Sequence, residues 1–99
     1  MAWPPPLLPP GYRIIFSRHA RERMRQRGVT PGEVEEALRC PVQLAYDHER
    51  DVYLALGCND VAVVYAARGT LVEVVTVLRR REYEALLARL GRRRYKVIL

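Results

Sequence analysis

The sequence predicts one α+β domain in which helices come first and a run of antiparallel strands follows. Two segments near the start carry helix start and stop signals, and a third near the end has apolar residues at helical spacing. Between them lie four β-rich runs separated by short turns. Ninety-nine residues, 49% of them apolar, suffice for one small core and leave no room for a second catalytic module.

A proline-rich arm opens the chain. Five prolines in the first ten residues forbid a helix in residues 1–11 and favour an extended polyproline-type segment. This arm either hangs free or lays Trp3 and Leu7 on an apolar patch. Tyr12 to Phe16 is predicted to form a short strand, the first element of a domain over residues 12–91.

The helix boundaries carry the most local signals. Ser17 is a candidate N-cap for the first helix, and Gly28 ends it. Thr30-Pro31-Gly32-Glu33 is a capping box with proline at the first helical position. The second helix should therefore start at Pro31, and Pro41 stops it.

Four strands and a third helix complete the predicted domain. The strands are Val42 to Tyr46, Val52 to Leu56, Val61 to Ala67 and Leu71 to Leu78. Turn residues at hairpin lengths between them predict a four-stranded antiparallel meander. An amphipathic helix follows from Arg81 to Leu90, and residues 92–99 form a tail that is first basic and then apolar.

The predicted turns also divide the sheet residues between two faces. One face is expected to be the core, and it carries Val52, Leu54, Leu56, Val61, Val63, Tyr65, Val72, Val74 and Leu78. The second face is too apolar to be left wholly in water, so it should be partly covered or bind something. It carries Val42, Leu44, Tyr46, Tyr53, Ala55, Val64, Glu73, Val75, Val77 and Arg79.

The formal charge of +6 is distributed as two basic blocks around an acidic middle. Residues 13–29 are net +5, residues 79–96 are net +6, and residues 30–78 are net −5. Basic blocks favour polyanionic partners such as RNA. A GC-rich genome produces the same excess of arginine over lysine through codon usage, which leaves that alternative open.

Other classes of function leave no signature in the sequence. Cys40 and Cys58 have no CxxC spacing, and with His19 and His48 they match no zinc-site pattern, so we expect free thiols, no metal and no cofactor. The start lacks a basic n-region and an uninterrupted apolar stretch, which argues against a signal peptide or a membrane anchor. The sequence therefore predicts a cytoplasmic protein.

One helical row carries the clearest chemical signal. His19, Arg23 and Arg27 recur every four residues, so on a helix they share one face. Histidine titrates near neutral pH, and guanidinium donors match phosphate oxygens. The row suits RNA phosphodiester chemistry without metal, with His19 as acid or base and the two arginines on phosphate. The alternative is a structural row whose arginine heads meet the domain's own carboxylates, on Glu33, Glu36 or Asp60.

A second acid or base would have to come from outside this helix. Glu73 and Tyr46 are preferred over His48 and Tyr53, although the spacing selects none of them. For the two tyrosines the alternative is a cross-strand aromatic pair packed under a helix.

Two arginine runs flank the predicted C-terminal helix, Arg79-Arg80-Arg81 and Arg92-Arg93-Arg94. Both runs are candidates for binding a nucleic-acid backbone or ribosomal RNA. The alternative is that both runs are solvated faces.

A motif in the helical region resembles a known family. The string His19-Ala20-x-x-Arg23-Met24-x-x-Arg27-Gly28-Val29, followed by Glu33-Val34, Ala37-Leu38 and Pro41, resembles a bacterial family of domains of unknown function, number four-two-five-eight. The order of elements looks like that of the RelE/ParE and BrnT toxins. That resemblance implies a basic protein that cleaves messenger RNA or acts on another target, and an antitoxin segment that covers its sheet or active surface.

Together these observations predict a toxin-like RNA-binding protein, with metal-independent endoribonuclease activity as its chemistry. Its partners would be RNA or the ribosome and an antitoxin-like protein, with no membrane. The alternative is a non-enzymatic interaction module in which the apolar second sheet face or the proline-rich arm binds a protein partner or a second copy.

Overall fold

The computed structural model describes Leu8 and residues 10–98, so the expectations for Trp3 and Leu7 lie outside the described residues. Within that part of the chain there are three helices and six strands, and the strands form one sheet. The elements are β1 (Arg13–Phe16), α1 (Arg18–Arg27), α2 (Pro31–Arg39), β2 (Pro41–Asp47), β3 (Val52–Gly57), β4 (Val61–Arg68), β5 (Leu71–Arg79), α3 (Arg80–Leu90) and β6 (Tyr95–Val97). The predicted α+β class is confirmed.

The strands form one mixed sheet in the order β1-β5-β4-β3-β2-β6. The predicted meander is present as β2 to β5, with every neighbouring pair antiparallel. Two edge strands extend it. β1 pairs in parallel with β5, Arg13 opposite Leu71. β6, from the tail, pairs antiparallel with β2, Ala45 opposite Val97.

The helix starts confirm the local capping signals. The Ser17 side chain accepts a hydrogen bond from the Ala20 N–H at 3.0 Å, and α1 ends at Gly28 with φ +64°. In α2 the Thr30 hydroxyl accepts from the Glu33 N–H at 3.1 Å, while the Glu33 carboxylate accepts from the Thr30 N–H at 2.9 Å. These reciprocal bonds satisfy backbone donors that the first helical turn leaves open.

The sheet separates two apolar cores. Helices α1 and α2 cover one face, where the buried residues are Ala20, Met24, Val29, Val34, Ala37, Leu38, Leu44, Ala55, Val61, Val63, Tyr65, Val72, Val74 and Val77. Helix α3 covers the other face, where the buried residues are Ala45, Leu54, Leu56, Ala62, Val64 and Tyr83. None of the helices described in residues 10–98 is long and apolar enough to cross a lipid bilayer.

The register of the β3–β4 hairpin corrects the predicted division of faces. Leu56 lies opposite Ala62, so it shares a face with Ala62 rather than with Val61. Side chains alternate along a strand, and a difference of one residue therefore moves a whole set to the other face. Leu54 and Leu56 pack under α3, whereas Val61 packs under α1 and α2. The prediction of one shared face is wrong for these residues.

A bulge in β5 makes a second correction. Val64 pairs with Thr76 but Tyr65 pairs with Val74, which leaves Val75 as an extra residue on β5. Because of this extra residue, Val74 and Val77 both face the core under α1 and α2. Strict alternation would place them on opposite faces.

Candidate nucleic-acid interface

An open groove of about 600 Å³ lies where α1 and α3 approach the second half of β5. β1 pairs only with Leu71 to Val74, so the rest of β5 is left for the two helices to flank. The groove is lined from α1, β5, α3 and the β2–β3 turn by His19, Arg23, Arg27, Arg50, Thr76, Leu78, Glu82, Ala85, Leu86 and Arg89.

The start of α1 is fixed to β5, which orients the helix. The Ser17 hydroxyl donates to the Val75 carbonyl at 3.0 Å, and the Ser17 N–H donates to the Val74 carbonyl at 3.0 Å. Ala20 and Met24 are buried against the sheet. The structure therefore turns the predicted row of His19 and the two arginines that follow it at intervals of four into the groove.

His19 is exposed and contacts its neighbour in the row. The Nε–H of Arg23 donates to Nε2 of His19 at 3.3 Å. Nε2 acts as an acceptor in this contact, which requires a neutral ring with its proton on Nδ1.

Arg27 is committed to an ion pair. Its Nε–H donates to Oε1 of Glu82 at 2.7 Å, and a terminal nitrogen donates to Oε2. The bonds from Arg27 are the main reason why the pKa of Glu82 is lowered to about 2, against the opposing effect of burial. They also raise the pKa of Arg27. The acidic partner of Arg27 is thus Glu82. It is not Glu33, Glu36 or Asp60, the carboxylates that the sequence predicts as partners for a structural row.

The groove is strongly basic even with this pair. Four of its lining residues are arginines and one is a glutamate. Sequence analysis missed Arg50, Arg89 and Glu82. Glu82 and Arg89 are seven positions apart in α3, with Ala85 and Leu86 between them, so helical spacing could have placed them on one face. Arg50 lies in the β2–β3 turn, and only the tertiary fold brings it to the groove.

Tyr46 lies outside the groove lining in the described structure. Its ring packs on that of Tyr53 on the neighbouring strand, with centroids 4.9 Å apart. This is the cross-strand aromatic pair that the sequence offers as the alternative to a catalytic role. Its hydroxyl donates to the Asp51 carboxylate at 2.5 Å, and this bond is the main cause that raises the pKa of Tyr46 to about 12. Tyr46 is thereby held as a neutral phenol.

Glu73 also lies away from the groove lining in the described residues. It sits in the first half of β5, opposite Ile15 of β1 and Ala66 of β4. His48, the other candidate, has Nε2 2.7 Å from the Arg93 carbonyl oxygen. The structure brings none of the suggested second acids or bases to His19.

The first arginine run is largely engaged within the domain. The Arg79 guanidinium donates to the Arg27 carbonyl at 2.7 Å. Arg80 lies 3.0 Å from the Asp60 carboxylate and also pairs with a glutamate one turn further along α3. Arg81 is exposed. Only Arg81 in this run presents its charge without such a contact in the described structure.

The second run is divided in the same way. Arg94 pairs with Asp47, which is buried, at 3.1 Å. Burial would raise the pKa of Asp47, but hydrogen bonds from Arg94 and from the backbone N–H groups of Arg50 and Glu49 outweigh it and lower that pKa. Arg92 and Arg93 are exposed, so these two remain available to a polyanion.

A small apolar cavity of about 100 Å³ adjoins the groove beneath α3. The two share Arg50, Thr76 and Leu86 as lining residues. Leu78, Ala85 and Leu86 add apolar surface to the groove beside its charged residues. Across the described part of the chain, no group of three or more His, Cys, Asp or Glu side chains is placed to hold a metal ion.

The candidate site is a basic groove on an α+β domain. A known family matches most of that domain. The model of a family described as a domain of unknown function (DUF4258) matches residues 16–79. The match covers more than half of the chain, so the chain belongs to this family. No curated protein and no solved structure matches the chain. The matched region includes α1 and Arg50 but ends before Glu82 and Arg89, which α3 adds to the groove.

Proposed function

We propose that this protein is a toxin-like RNA-binding protein whose groove between α1 and α3 holds the RNA phosphate backbone. One observation carries the proposal: guanidinium groups from three different elements converge on one open groove. Guanidinium donors match phosphate oxygens, and neutralising phosphates releases counterions, which favours binding. RNA as the ligand is consistent with the cytoplasmic location that the sequence predicts.

The arginines have different roles in this proposal. Arg23, Arg50 and Arg89 contact phosphates, because they line the groove and none of them pairs with a carboxylate in the described structure. Arg27 is a positioning residue, since both of its bonds to Glu82 are internal. It holds α1 and α3 at the separation that gives the groove its width.

His19 gives the groove its proposed chemistry, metal-independent cleavage of RNA. In such cleavage the ribose 2′-oxygen attacks the adjacent phosphorus, and the bond to the 5′-oxygen breaks. The exposed imidazole can accept the proton of the 2′-hydroxyl at Nε2 or, once protonated, give a proton to the leaving oxygen. Arg23 and Arg89 would stabilise the charge on the phosphate. Glu82 is a poor proton donor because Arg27 keeps it ionised. Water therefore takes or gives whichever of these two protons His19 does not transfer.

An RNA cleavage assay in EDTA tests the catalytic part. His19→Gln should keep the fold and the RNA affinity while the cleavage rate falls at least about 100-fold, the lower end for loss of a general acid or base. Arg25→Ala is a matched control on the exposed side of the same helix and should cleave normally. Equal rates in His19→Gln and the unaltered protein would end the catalytic claim and leave RNA binding standing.

The toxin-like class adds a protein partner, an antitoxin-like segment that covers the groove. Its support is the order of helices followed by a meander together with the basic groove. Co-expression with the product of the neighbouring reading frame tests it. The proposal expects a complex that no longer binds RNA, and a complex with unchanged RNA affinity would contradict it.

An interaction module is a second candidate because apolar side chains are exposed at both edges of the sheet. Ile15 on β1 is 40% exposed, and Val97 on β6 is 48% exposed. Edge strands offer unpaired backbone groups to a partner strand or a second copy. Concentration-dependent dimerisation without affinity for RNA would favour this candidate.

A further inference from the structure

Two cysteines face each other at one end of the β2–β3 ladder. Pro41 pairs with Gly57, and one position further out the Cys58 N–H donates to the Cys40 carbonyl at 2.8 Å. Both cysteines are exposed. Residues opposite each other on antiparallel strands have Cα atoms about 4.5–5.5 Å apart, and a disulfide needs a Cα separation of about 4.4–6.8 Å. The backbone bond between Cys58 and Cys40 brings the two residues to this range.

The Cys40 thiol also affects the ionisation of Cys58. A hydrogen bond with the Cys40 side chain is the main cause of the raised pKa of Cys58, followed by desolvation. Cys40 directly precedes β2 and Cys58 directly follows β3, so the two thiols lie at the same end of this strand pair.

The surroundings hold this corner in place. A Cβ added to Gly57 would lie 2.5 Å from the Ala37 Cα, so the end of β3 packs directly on α2. The Asn59 side-chain amide donates to the Glu33 carbonyl at 3.0 Å, which fixes the β3–β4 turn to the same helix. The turn that carries Cys58 is therefore fixed against α2 by close packing and a hydrogen bond.

We infer that Cys40 and Cys58 form a reversible intramolecular disulfide on exposure to a peroxide, which makes this corner a redox-modification site. Hydrogen peroxide first oxidises one thiol to a sulfenic acid, as an S–O bond forms, the O–O bond breaks and one water leaves. The second thiol then attacks that sulfur, the S–S bond forms, the S–O bond breaks and a second water leaves. Two thiols are oxidised and one peroxide is reduced. The site is separate from the groove and independent of RNA binding.

Intact-mass measurement of the full chain after treatment with hydrogen peroxide tests the inference. The expected product is a monomer on a non-reducing gel that has lost two hydrogens and both free thiols, and dithiothreitol should restore it. The bond would close a loop between positions 40 and 58 and so reduce the conformational entropy of the unfolded chain. Its formation should therefore raise Tm by at least about 5 °C. Disulfide-linked dimers or separate oxygen additions to each thiol, without the monomeric disulfide, would overturn the inference.

Single variants provide the control. Cys40→Ser and Cys58→Ser each keep one thiol, so peroxide should add oxygen or link two chains, with no rise in Tm. A rise in Tm of either variant equal to that of the unaltered protein would also overturn the inference. The mass of the unaltered protein decides the question even where a variant does not fold.

Discussion

The guanidinium of Arg27 and the carboxylate of Glu82 form two parallel hydrogen bonds that join the last residue of α1 to the first turn of α3. Glu82 also accepts from the Arg79 N–H at 3.0 Å, and the Arg79 guanidinium returns to the Arg27 carbonyl at 2.7 Å. The two helices pack on opposite faces of the sheet. This three-residue connection therefore ties the end of α1 to the start of α3 beside the groove, whose lining includes Arg27 and Glu82.

Glu82→Gln should lower the free energy of unfolding at neutral pH by about 1 kcal/mol, because it removes a charge-assisted pair whose carboxylate is still 38% exposed. Urea denaturation measures this change. Glu84→Gln is the matched control, since the Glu84 side chain is 61% exposed in its pair with Arg80. It should change stability by less than about 0.5 kcal/mol. Equal losses in both variants would contradict a special role for Glu82.

The contribution of Glu82 should also depend on pH. Its pKa is about 2 in the folded protein, below the ordinary 4.5, so the carboxylate stabilises the fold fully above about pH 5. That stabilisation is lost as the pH falls through 4.5 toward 2. The difference in stability between the unaltered protein and Glu82→Gln should shrink over this interval. A difference that stays constant down to pH 2 would show that the ionised pair is not its source.

Arg94→Ala should destabilise the domain by about 3 kcal/mol, because it leaves the buried Asp47 carboxylate without its cationic partner. Thermal or urea denaturation measures this loss. Arg93→Ala removes the same charge from the neighbouring, exposed position and should cost less than about 0.5 kcal/mol. Similar losses in the two variants would mean that Arg94 acts only through net charge.

Gly57→Ala should destabilise the domain by about 2 kcal/mol, within the range for overpacking, because the new Cβ would lie 2.5 Å from the backbone of Ala37. Gly32→Ala is the control within α2. Its new Cβ would have only the Thr30 hydroxyl at 3.8 Å, so helix propensity should make the change neutral or stabilising by up to about 1 kcal/mol. Denaturation curves that show the opposite order would contradict the close packing of β3 on α2.

The fold could be predicted from the sequence wherever its signals are local. The caps at Ser17 and Thr30 depend on residues three positions away, and both are present. The faces of the sheet depend on register, and the extra residue at Val75 reverses strand alternation without a sequence mark. The parallel pairing of β1 with β5 brings together residues 58 positions apart, as from Arg13 to Leu71, and local patterns cannot indicate it.

The same limit applies to the candidate site. A spacing of four places His19 and Arg23 on one helical face, and the structure turns that face into the groove. Arg50 and Arg89 come from distant elements, so only the assembled fold shows that they join it. Glu73 is predicted from its residue type alone, and its position in the first half of β5 keeps it from the groove lining of the described structure.

The most direct test of the RNA-binding groove is the salt dependence of affinity for a single-stranded RNA oligonucleotide. Arg23→Ala and Arg89→Ala each remove a groove arginine, and Arg25→Ala removes the same charge from the exposed side of α1. Each groove variant should weaken binding and reduce the slope of log affinity against log salt by about 0.7, the loss of one phosphate contact, while Arg25→Ala leaves the slope unchanged. Equal slopes in all three variants, or no affinity for RNA in the unaltered protein, would contradict the account.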